Sequence, residues 1–190
     1  MPKYNRKISD TEIRIGEVRF GYVHVFAPGR DEAGNPDKYS ACLMIPKSNK
    51  EAIKLIEECI EDAKLRGKSK VWDGSIPRTG NMNPLHDGDE ERAGKPEYEG
   101  MYYLNAKSKN KPGIRVLEDG HQSEPLGEED FYSGCWGAAT ISFYAYNRNG
   151  NRGIGVSLGN VIKTRDDEKF SGGVSADAAF ADLSDDDFDL

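Results

Sequence analysis

Six segments of this chain are rich in β-branched and aromatic residues, and in several of them apolar and polar positions alternate. This pattern is typical of half-buried β-strands. The last two segments are joined by the polar loop 147–152, whose Asn149-Gly150 pair favours a tight hairpin turn. We therefore predict a mainly β protein. The predicted strands cover residues 13–26, 39–45, 101–108, 114–117, 138–146 and 154–163.

A helical period replaces the strand pattern after the second strand. Apolar residues recur every three or four positions over residues 48–66, which predicts one amphipathic helix that packs against the sheet. Ser48 and Glu51 have the spacing of a capping box at its start. Gly67 is predicted to end the helix in a left-handed conformation.

Residues 73–100 contain five glycines, three prolines and seven acidic residues, which predicts a long loop. Loops of this length in a compact domain are usually functional or disordered. Five or more strands with one long helix between them indicate a small β-barrel with a helical insertion. We expect the barrel domain to span residues 1–165 and a flexible acidic tail to span residues 166–190.

The net charge of −7 is concentrated at the C-terminus. Residues 177–190 carry six aspartates, two phenylalanines and no basic residue, and without them residues 1–176 have a net charge of −1. Such a segment cannot bury enough apolar surface to offset its chain entropy, so it is predicted to be disordered. The near-neutral body can still carry a local basic stripe of the kind that binds a phosphate backbone.

The sequence predicts neither a metal site nor a cofactor. Cys42, Cys59 and Cys135 are odd in number and far apart, and none lies at metal-ligand spacing from another Cys or a His. Because each lies in or beside an apolar run, we expect buried free thiols in a reducing cytosol. No apolar run approaches the ~18–20 residues of a membrane span, and none follows the N-terminus as in a signal peptide, so we expect no membrane association.

Alternation within the predicted strands assigns side chains to the inner and outer faces. Before the hairpin, Ile141 and Phe143 share the apolar side, whereas Tyr144 and Tyr146 share the polar side; an earlier strand is expected to expose Tyr103. Exposed tyrosines beside basic residues form a platform for single-stranded nucleic acid, since rings stack on bases for roughly 1–3 kcal/mol each and cations follow the backbone. The predicted nucleic-acid-binding residues are Tyr103, Lys107, Lys109, Lys111, Arg115, Tyr144, Tyr146, Arg148, Arg152 and Lys163.

The stretch SFYAYNRNGNRGIGVSLGNVIKTRDDEKFSGG, residues 142–173, resembles the closing hairpin of the bacteriophage single-stranded DNA-binding proteins once catalogued as a domain of unknown function (DUF2815). That family shows an aromatic strand F-Y-x-Y, a polar turn, the pattern G-I-x-x-x-L-x-N and a Gly-rich exit. The N-terminal strand, the helix and the run at 134–139 also fit, so the resemblance covers most of residues 10–173. By position, Tyr144, Tyr146, Arg148 and Arg152 lie in the family's conserved hairpin.

The resemblance implies an OB-fold related to the replication single-stranded DNA-binding proteins of T7-like phages, with sequence-independent binding. It also implies an acidic tail that contacts replication proteins of the phage or host, such as a polymerase or helicase-primase. The chain departs from the family by ending in Phe188-Asp189-Leu190 rather than on the aromatic residue itself. The predicted partner-binding residues are Asp185, Asp186, Asp187, Phe188 and Asp189. We expect a monomer or homodimer in the cytoplasm of an infected bacterium.

Three alternative interpretations of these features remain open. The strand tyrosines are good β-formers in any protein, and an acidic tail can serve solubility alone. An acidic interaction protein that mimics DNA to occupy a host enzyme would share the tail but predicts no stacking face. Asp87, Asp89, Glu90 and Glu91 could hold Mg²⁺ for a nuclease, although a Gly/Pro-rich loop does not hold carboxylates in a fixed arrangement.

Overall fold

The structure, a computed structural model, describes residues 4–170, which form a mainly β fold with one long helix. The strands are β1 (Arg6–Lys7), β2 (Glu12–His24), β3 (Tyr39–Pro46), β4 (His86–Asp87), β5 (Met101–Ser108), β6 (Ile114–Glu118), β7 (His121–Ser123), β8 (Trp136–Arg148) and β9 (Asn151–Arg165). The helices are α1 (Lys50–Lys70), the short α2 (Gly88–Glu91) and two 3-10 turns, Pro96–Tyr98 and Glu128–Asp130.

Five of the strands close into a barrel. β2 pairs antiparallel with β3 and with β8, β3 pairs antiparallel with β5, and β8 pairs antiparallel with β9. A parallel contact between β5 and β9, where Lys107 lies opposite Ser157, completes the ring. The order β2-β3-β5-β9-β8 around the ring is that of an OB-fold, a five-stranded Greek-key barrel. The predicted fold class is confirmed.

The interior of the barrel is filled by the inward residues of the alternating strands. Ile13 and Ile15 from β2, Leu43 from β3, Leu104 from β5 and Ile141 from β8 have no exposed surface. Successive side chains of a strand point to opposite faces of the sheet, so the residues between these inward positions lie on the outer surface of the barrel. The outer face is where the candidate site lies.

The long helix is present, but its start differs from the prediction. α1 begins two residues and ends four residues later than expected, and it packs against β8. Its cap is Asn49, whose side-chain oxygen accepts a hydrogen bond from the Ala52 amide at 3.3 Å, so the predicted capping box of Ser48 and Glu51 is wrong. Among the described residues, no helix is long and apolar enough to span a membrane.

Gly67 does not end the helix as predicted. It lies inside the last turns, where the Val71 amide donates to its carbonyl at 2.9 Å. A β-carbon on Gly67 would collide with the side chain of Ala145 in β8. This glycine is therefore needed for the close contact between α1 and β8.

The predicted hairpin is confirmed. Arg148 pairs with Asn151, which leaves Asn149 and Gly150 as a two-residue loop with positive φ of 52° and 87°. The Gly150 amide also donates to the Asn147 side chain at 3.1 Å. The turn holds the ends of β8 and β9 together beside the open part of the outer face.

The predicted long loop 73–100 contains β4 and α2 and folds back on the barrel. Tyr98, near its end, is 1% exposed and packs with Cys42, Met44 and Tyr103 in a second apolar cluster outside the barrel. The segment therefore covers part of the outer face of β3 and β5.

The last described residues also contact the outer face, although the predicted tail begins at residue 166. The Asp167 carboxylate accepts a hydrogen bond from the Trp136 indole at 2.9 Å. The guanidinium carbon of Arg19 lies 4.3 Å from the centre of the Phe170 ring. The chain thus leaves the described region beside β2 and β3.

The three cysteines are free and buried, as predicted. Burial raises the pKa of Cys42 and of Cys135 to about 11. These thiols stay protonated at neutral pH and behave as small apolar groups of the fold.

Candidate nucleic-acid interface

An open groove of about 420 Å³ crosses the outer face where β5, β8 and β9 meet. It brings together four of the ten predicted binding residues: Lys107 from β5 and Tyr144, Tyr146 and Arg148 from β8. The remaining lining residues come from the segment before β3, from residues 81–86 and from neighbouring positions of the barrel. They are Lys38, Asn81, Asn83, Pro84, His86, Asn105, Asn151, Ile154, Gly155 and Val156.

The charge of this groove differs from that of the whole chain. Lys38, Lys107 and Arg148 line it, and none of the described residues that line it is an aspartate or a glutamate. The chain as a whole carries a net charge of −7. The groove is therefore a local cationic surface, which is what attraction of a phosphate backbone requires.

Each tyrosine of the groove lies over a glycine on the neighbouring strand. Tyr144 is opposite Gly155, and Tyr146 is opposite Gly153. A β-carbon on Gly155 would collide with the Tyr144 ring, and one on Gly153 would lie 2.6 Å from the Tyr146 hydroxyl oxygen. The sheet thus supports one side of each ring, and the exposed Tyr144 ring offers surface to a ligand.

The two rings are arranged as neighbouring platforms. Their centres are 6.3 Å apart, and their planes are inclined by 52°. Tyr144 is 40% exposed, so its predicted exposure is confirmed, and Tyr146 is half-buried. Two aromatic faces at this separation can receive successive bases of a single strand.

Contacts from Trp72, just after α1, and from Asn81 hold the end of β8 and the start of β9 in place. The indole of Trp72 donates to the Tyr146 carbonyl at 3.0 Å. The Asn81 amide donates to the Arg152 carbonyl at 3.2 Å, and the Asn81 side chain donates to the Tyr146 hydroxyl at 3.4 Å. The ring is thus positioned by backbone and side-chain hydrogen bonds from outside its own hairpin.

Arg148 lies beside the tyrosine pair at the end of β8. Its guanidinium carbon is 5.8 Å from the centre of the Tyr146 ring, within the range of a cation–π contact. Lys107, on the facing strand β5, is exposed. The two cations flank the aromatic surface, as the stacking hypothesis requires.

The structure places the other exposed cations that were predicted to bind nucleic acid outside the groove. Arg115 and Lys111 line a separate hollow near Leu126, and the Arg115 guanidinium lies 3.5 Å from the Glu124 carboxylate. Lys109 is exposed just after β5, and Arg152 is exposed at the start of β9. Their predicted contribution to nucleic-acid binding stays a prediction.

The predicted exposure of Tyr103 is wrong. This side chain is 3% exposed, stacks on His86 with ring centres 5.0 Å apart, and meets Tyr98 edge-on. Its hydroxyl donates to the Glu91 carboxylate at 3.0 Å, and burial is the main cause of its raised pKa. Tyr103 does lie on the outer side of β5, but the segment folded back from residues 86–98 covers it.

Lys163, which was predicted to bind nucleic acid, is buried. The residue is 5% exposed, and its ammonium donates to the Asp166 carboxylate at 2.8 Å. This contact, followed by a hydrogen bond from Tyr132, lowers the pKa of Asp166. Lys163 is thus a structural ion-pair partner that stabilises the exit of β9.

Sequence reasoning did not single out the other ten lining residues, and three of them illustrate why. Asn105 was placed on the correct face of β5 by alternation, but a lone amide carries no signal for binding. Lys38 precedes β3 in a turn-rich connection, and His86 comes from the predicted long loop. Only the folded chain brings these connections to the barrel.

Three of the four acidic residues that were considered for Mg²⁺ contact basic residues. The Lys47 ammonium donates to Asp87 at 2.7 Å and to Asp89 at 2.8 Å, and these contacts hold the pKa of both carboxylates below the usual range. The imidazole of His86 lies 3.1 Å from the Glu91 carboxylate and lowers its pKa. Among residues 4–170, no group of three or more His, Cys, Asp or Glu side chains is arranged to hold a metal ion.

The predicted partner-binding residues lie outside the described residues. They are Asp185, Asp186, Asp187, Phe188 and Asp189.

Comparison with known sequences finds close agreement over most of the chain. The family model described as the ssDNA-binding protein of Enterobacter phage Enc34 matches residues 11–190. Protein p50 of Acyrthosiphon pisum secondary endosymbiont phage 1 is 34% identical over 181 residues, which cover 91% of this chain and 94% of p50.

Solved structures agree with the barrel. The single-stranded DNA-binding protein of bacteriophage Enc34, solved in complex with ssDNA, is 28% identical with a TM-score of 0.74, covering 90% of this chain and 96% of that one. The gp2.5 single-stranded DNA-binding protein of bacteriophage T7 shares the fold, with a TM-score of 0.55 at 15% identity, over 94% of this chain and 97% of gp2.5. The family match spans both strands of the tyrosine hairpin, and the chain therefore belongs to the family of the Enterobacter phage Enc34 ssDNA-binding protein.

Proposed function

We propose that this protein binds single-stranded DNA without sequence preference and coats strands exposed during phage DNA replication and recombination. The observation that carries the proposal is the groove, in which Tyr144 and Tyr146 lie over glycines between Lys107 and Arg148. Every base has a face that stacks and every nucleotide has a phosphate, so such a surface accepts any sequence. The Enc34 relative that was solved with ssDNA supports the same conclusion.

The groove also favours a binding protein over the two alternatives. A DNA mimic needs an acidic surface, whereas this groove is lined by cations and aromatic rings. The carboxylates of Asp87 and Asp89 are paired with Lys47, which favours a structural role for them over metal-dependent cleavage. We therefore propose a non-catalytic function, in keeping with the family.

We propose further that the acidic tail has two roles. Its aspartates compete with DNA for the cationic groove, and Phe188 with its acidic neighbours recruits replication proteins such as a polymerase or helicase-primase. This activity belongs in the cytoplasm of an infected bacterium, with the protein acting as a monomer or homodimer. The charge difference between groove and tail supports the competition.

The test of DNA binding removes one exposed ring. Tyr144→Ala should weaken binding to labelled oligonucleotides of unrelated sequence by roughly 1–3 kcal/mol, because it removes one stacking platform. Tyr144→Phe is the matched control and should bind like the native protein, since it keeps the ring. Fluorescence anisotropy gives the affinities, and thermal melting should show only a small loss of stability, because cross-strand pairs contribute roughly 0.2–1 kcal/mol.

A salt titration with the same oligonucleotides separates the alternatives. A binder loses affinity as salt rises, because bound cations release counterions from the strand. A DNA mimic shows no binding at any salt concentration, and a nuclease shortens the oligonucleotide when Mg²⁺ is added. Native affinity in Tyr144→Ala, or either of these two results, would exclude the proposed groove function.

A further inference from the structure

A second exposed aromatic side chain lies on the outer face at the opposite side of the covered cluster. Tyr22 in β2 is 62% exposed. Between Gly21 and His24 the pairing with β3 shifts, so that three steps along β2 match only two along β3, from Cys42 to Ser40. Bulges of this kind redirect side chains and recur beside functional sites.

The bulge turns Tyr22 outward. Phe20 and the partly buried Val23 both pack in the core, so Gly21 and Tyr22 between them face away from it. Tyr22 adopts a positive φ of 47°, a conformation that costs free energy for a bulky residue. Because the ring is exposed and the backbone conformation is unfavourable, Tyr22 stabilises the fold little more than a smaller residue would.

An exposed cation, Arg92, lies over the covered cluster. The guanidinium carbon of Arg92 lies 5.6 Å from the Tyr103 ring and 5.9 Å from the Tyr98 ring. Electrostatic interaction with Tyr103 is the main cause of the raised pKa of Arg92, and interactions with Tyr98 and Tyr22 add to it. Arg92 therefore lies on the surface of the covered cluster, within electrostatic range of Tyr22.

The register connects this position to the groove. Asn105, which lines the groove, lies opposite Cys42, and Cys42 lies opposite Gly21, the neighbour of Tyr22. Two strand spacings separate Asn105 from Gly21, a distance of roughly 10 Å. An OB-fold contacts ~4–16 nucleotides of a strand, which is more than the two tyrosines of the groove can stack.

We propose that Tyr22, with Arg92 beside it, is a second base-stacking position on the path of single-stranded DNA. The strand would run from Tyr144 and Tyr146, past the residues 86–98 that cover part of β5 and β3, to Tyr22 on β2. This inference rests on the proposed DNA-binding function. It adds to that function the course of the bound strand over the barrel and a minimum length for it.

The experiment compares a short and a long oligonucleotide, of about four and about sixteen nucleotides, at the two ends of the range for OB-folds. Tyr22→Asn is the test variant, because asparagine tolerates a positive φ and the bulge should persist. It should lower the affinity for the long oligonucleotide about 5- to 150-fold, the equivalent of roughly 1–3 kcal/mol, and leave the short one unchanged. Tyr22→Phe should bind both like the native protein.

Leu65→Asn is the matched control, since Leu65 has nearly the same exposure, 63%, but lies on α1 and does not line the groove. It should change neither affinity. Photocrosslinking of the native protein to a long oligonucleotide with a photoreactive base tests the contact without any mutation. The tryptic peptide 20–30, which contains Tyr22, should carry the crosslink in addition to peptide 116–148 of the groove tyrosines.

Unchanged affinity of Tyr22→Asn for the long oligonucleotide, equal losses with both lengths, or no crosslink in peptide 20–30 would overturn the inference. The effect of Tyr144→Ala on the short oligonucleotide is measured separately. The proposed function can therefore stand when the second stacking position fails.

Discussion

At the scale of single residues, what a tyrosine or a cation can do depends on what covers it. Tyr103 and Tyr144 both lie on the outer side of their strands, yet one is 3% exposed and the other 40%. Tyr103 is covered by residues 86–98, whereas Tyr144 has only Gly155 beneath it. The glycine is as important as the ring, because any larger side chain would displace it.

Arg148 should make a phosphate contact that a salt titration can detect. Arg148→Gln should lower affinity for all sequences alike and flatten the slope of log affinity against log salt by roughly 0.7, the value for one lost contact with a single strand. Lys54→Gln is the control, because it removes the same unit charge from an exposed position on α1 outside the groove. Arg152→Gln should have a smaller effect than Arg148→Gln, since Arg152 does not line the groove. An unchanged slope in Arg148→Gln would show that the hairpin points away from the DNA.

At the scale of elements, the site depends on parts of the chain that do not touch the ligand. The close contact of α1 with β8 at Gly67, and the hydrogen bond from Trp72 to the Tyr146 carbonyl, hold the strand that carries both groove tyrosines. Lys47, which follows β3, holds the start of α2 through Asp87 and Asp89. The position of the segment over Tyr103 thus depends on this ion-pair cluster.

The ion pairs of Lys47 should make part of the stability sensitive to acid. Asp87 and Asp89 have lowered pKa values because Lys47 donates to them, so their contribution is complete above the unfolded pKa of about 4 and is lost as the pH falls through the lowered values. Lys47 has a raised pKa for the same reason, and its contribution persists until the pH rises above about 10.5. Lys47→Gln should therefore show a smaller loss of stability than the native protein between about pH 6 and pH 3.

Urea unfolding at the two pH values measures this difference. Lys54→Gln is again the control, since it removes an exposed pair with Glu58 in which the nitrogen and oxygen are 3.9 Å apart. If the stability of Lys47→Gln depends on pH as strongly as that of the native protein, solvent screens the ion-pair cluster and apolar packing alone holds the segment.

At the scale of the whole molecule, charge is divided between a cationic groove and an acidic C-terminus. Residues 177–190 contain six aspartates, and the described chain ends at Phe170 on the outer face, beside Gly21 and Met44. Under the proposed competition, the aspartates act at a high effective concentration because they belong to the same chain as the groove. DNA binding should therefore require their displacement.

Deletion of residues 177–190 should raise affinity for single-stranded DNA, most clearly at low salt, where screening is weakest. The same deletion should abolish binding to the replication partner, because it removes Phe188 and the acidic residues around it. A full-length variant with all six tail aspartates replaced by asparagine is the control for charge at constant length. It should match the deletion in DNA affinity. Equal DNA affinity of native and truncated proteins at low salt, with intact partner binding, would leave the tail a role in solubility alone.

The sequence by itself determined the local elements and the inner and outer faces of the strands around the hairpin. Alternation in β8 placed Ile141 inside and Tyr144 outside, and Asn149-Gly150 specified the turn. These features depend on neighbouring residues along one strand or one turn, so a period of two and a preference for positive φ suffice to predict them.

Only the tertiary structure decided which residues of the outer face remain exposed and which cations lie together in the groove. Burial of Tyr103 and the approach of Lys38 and His86 to the groove both depend on segments distant in sequence. Gly67 is a further example. Its local preference predicts the end of the helix, but in the structure it lies inside the helix, in close contact with β8. Packing between distant segments outweighs local preference at these positions, because a collision or a buried unpaired charge costs more free energy than a local propensity contributes.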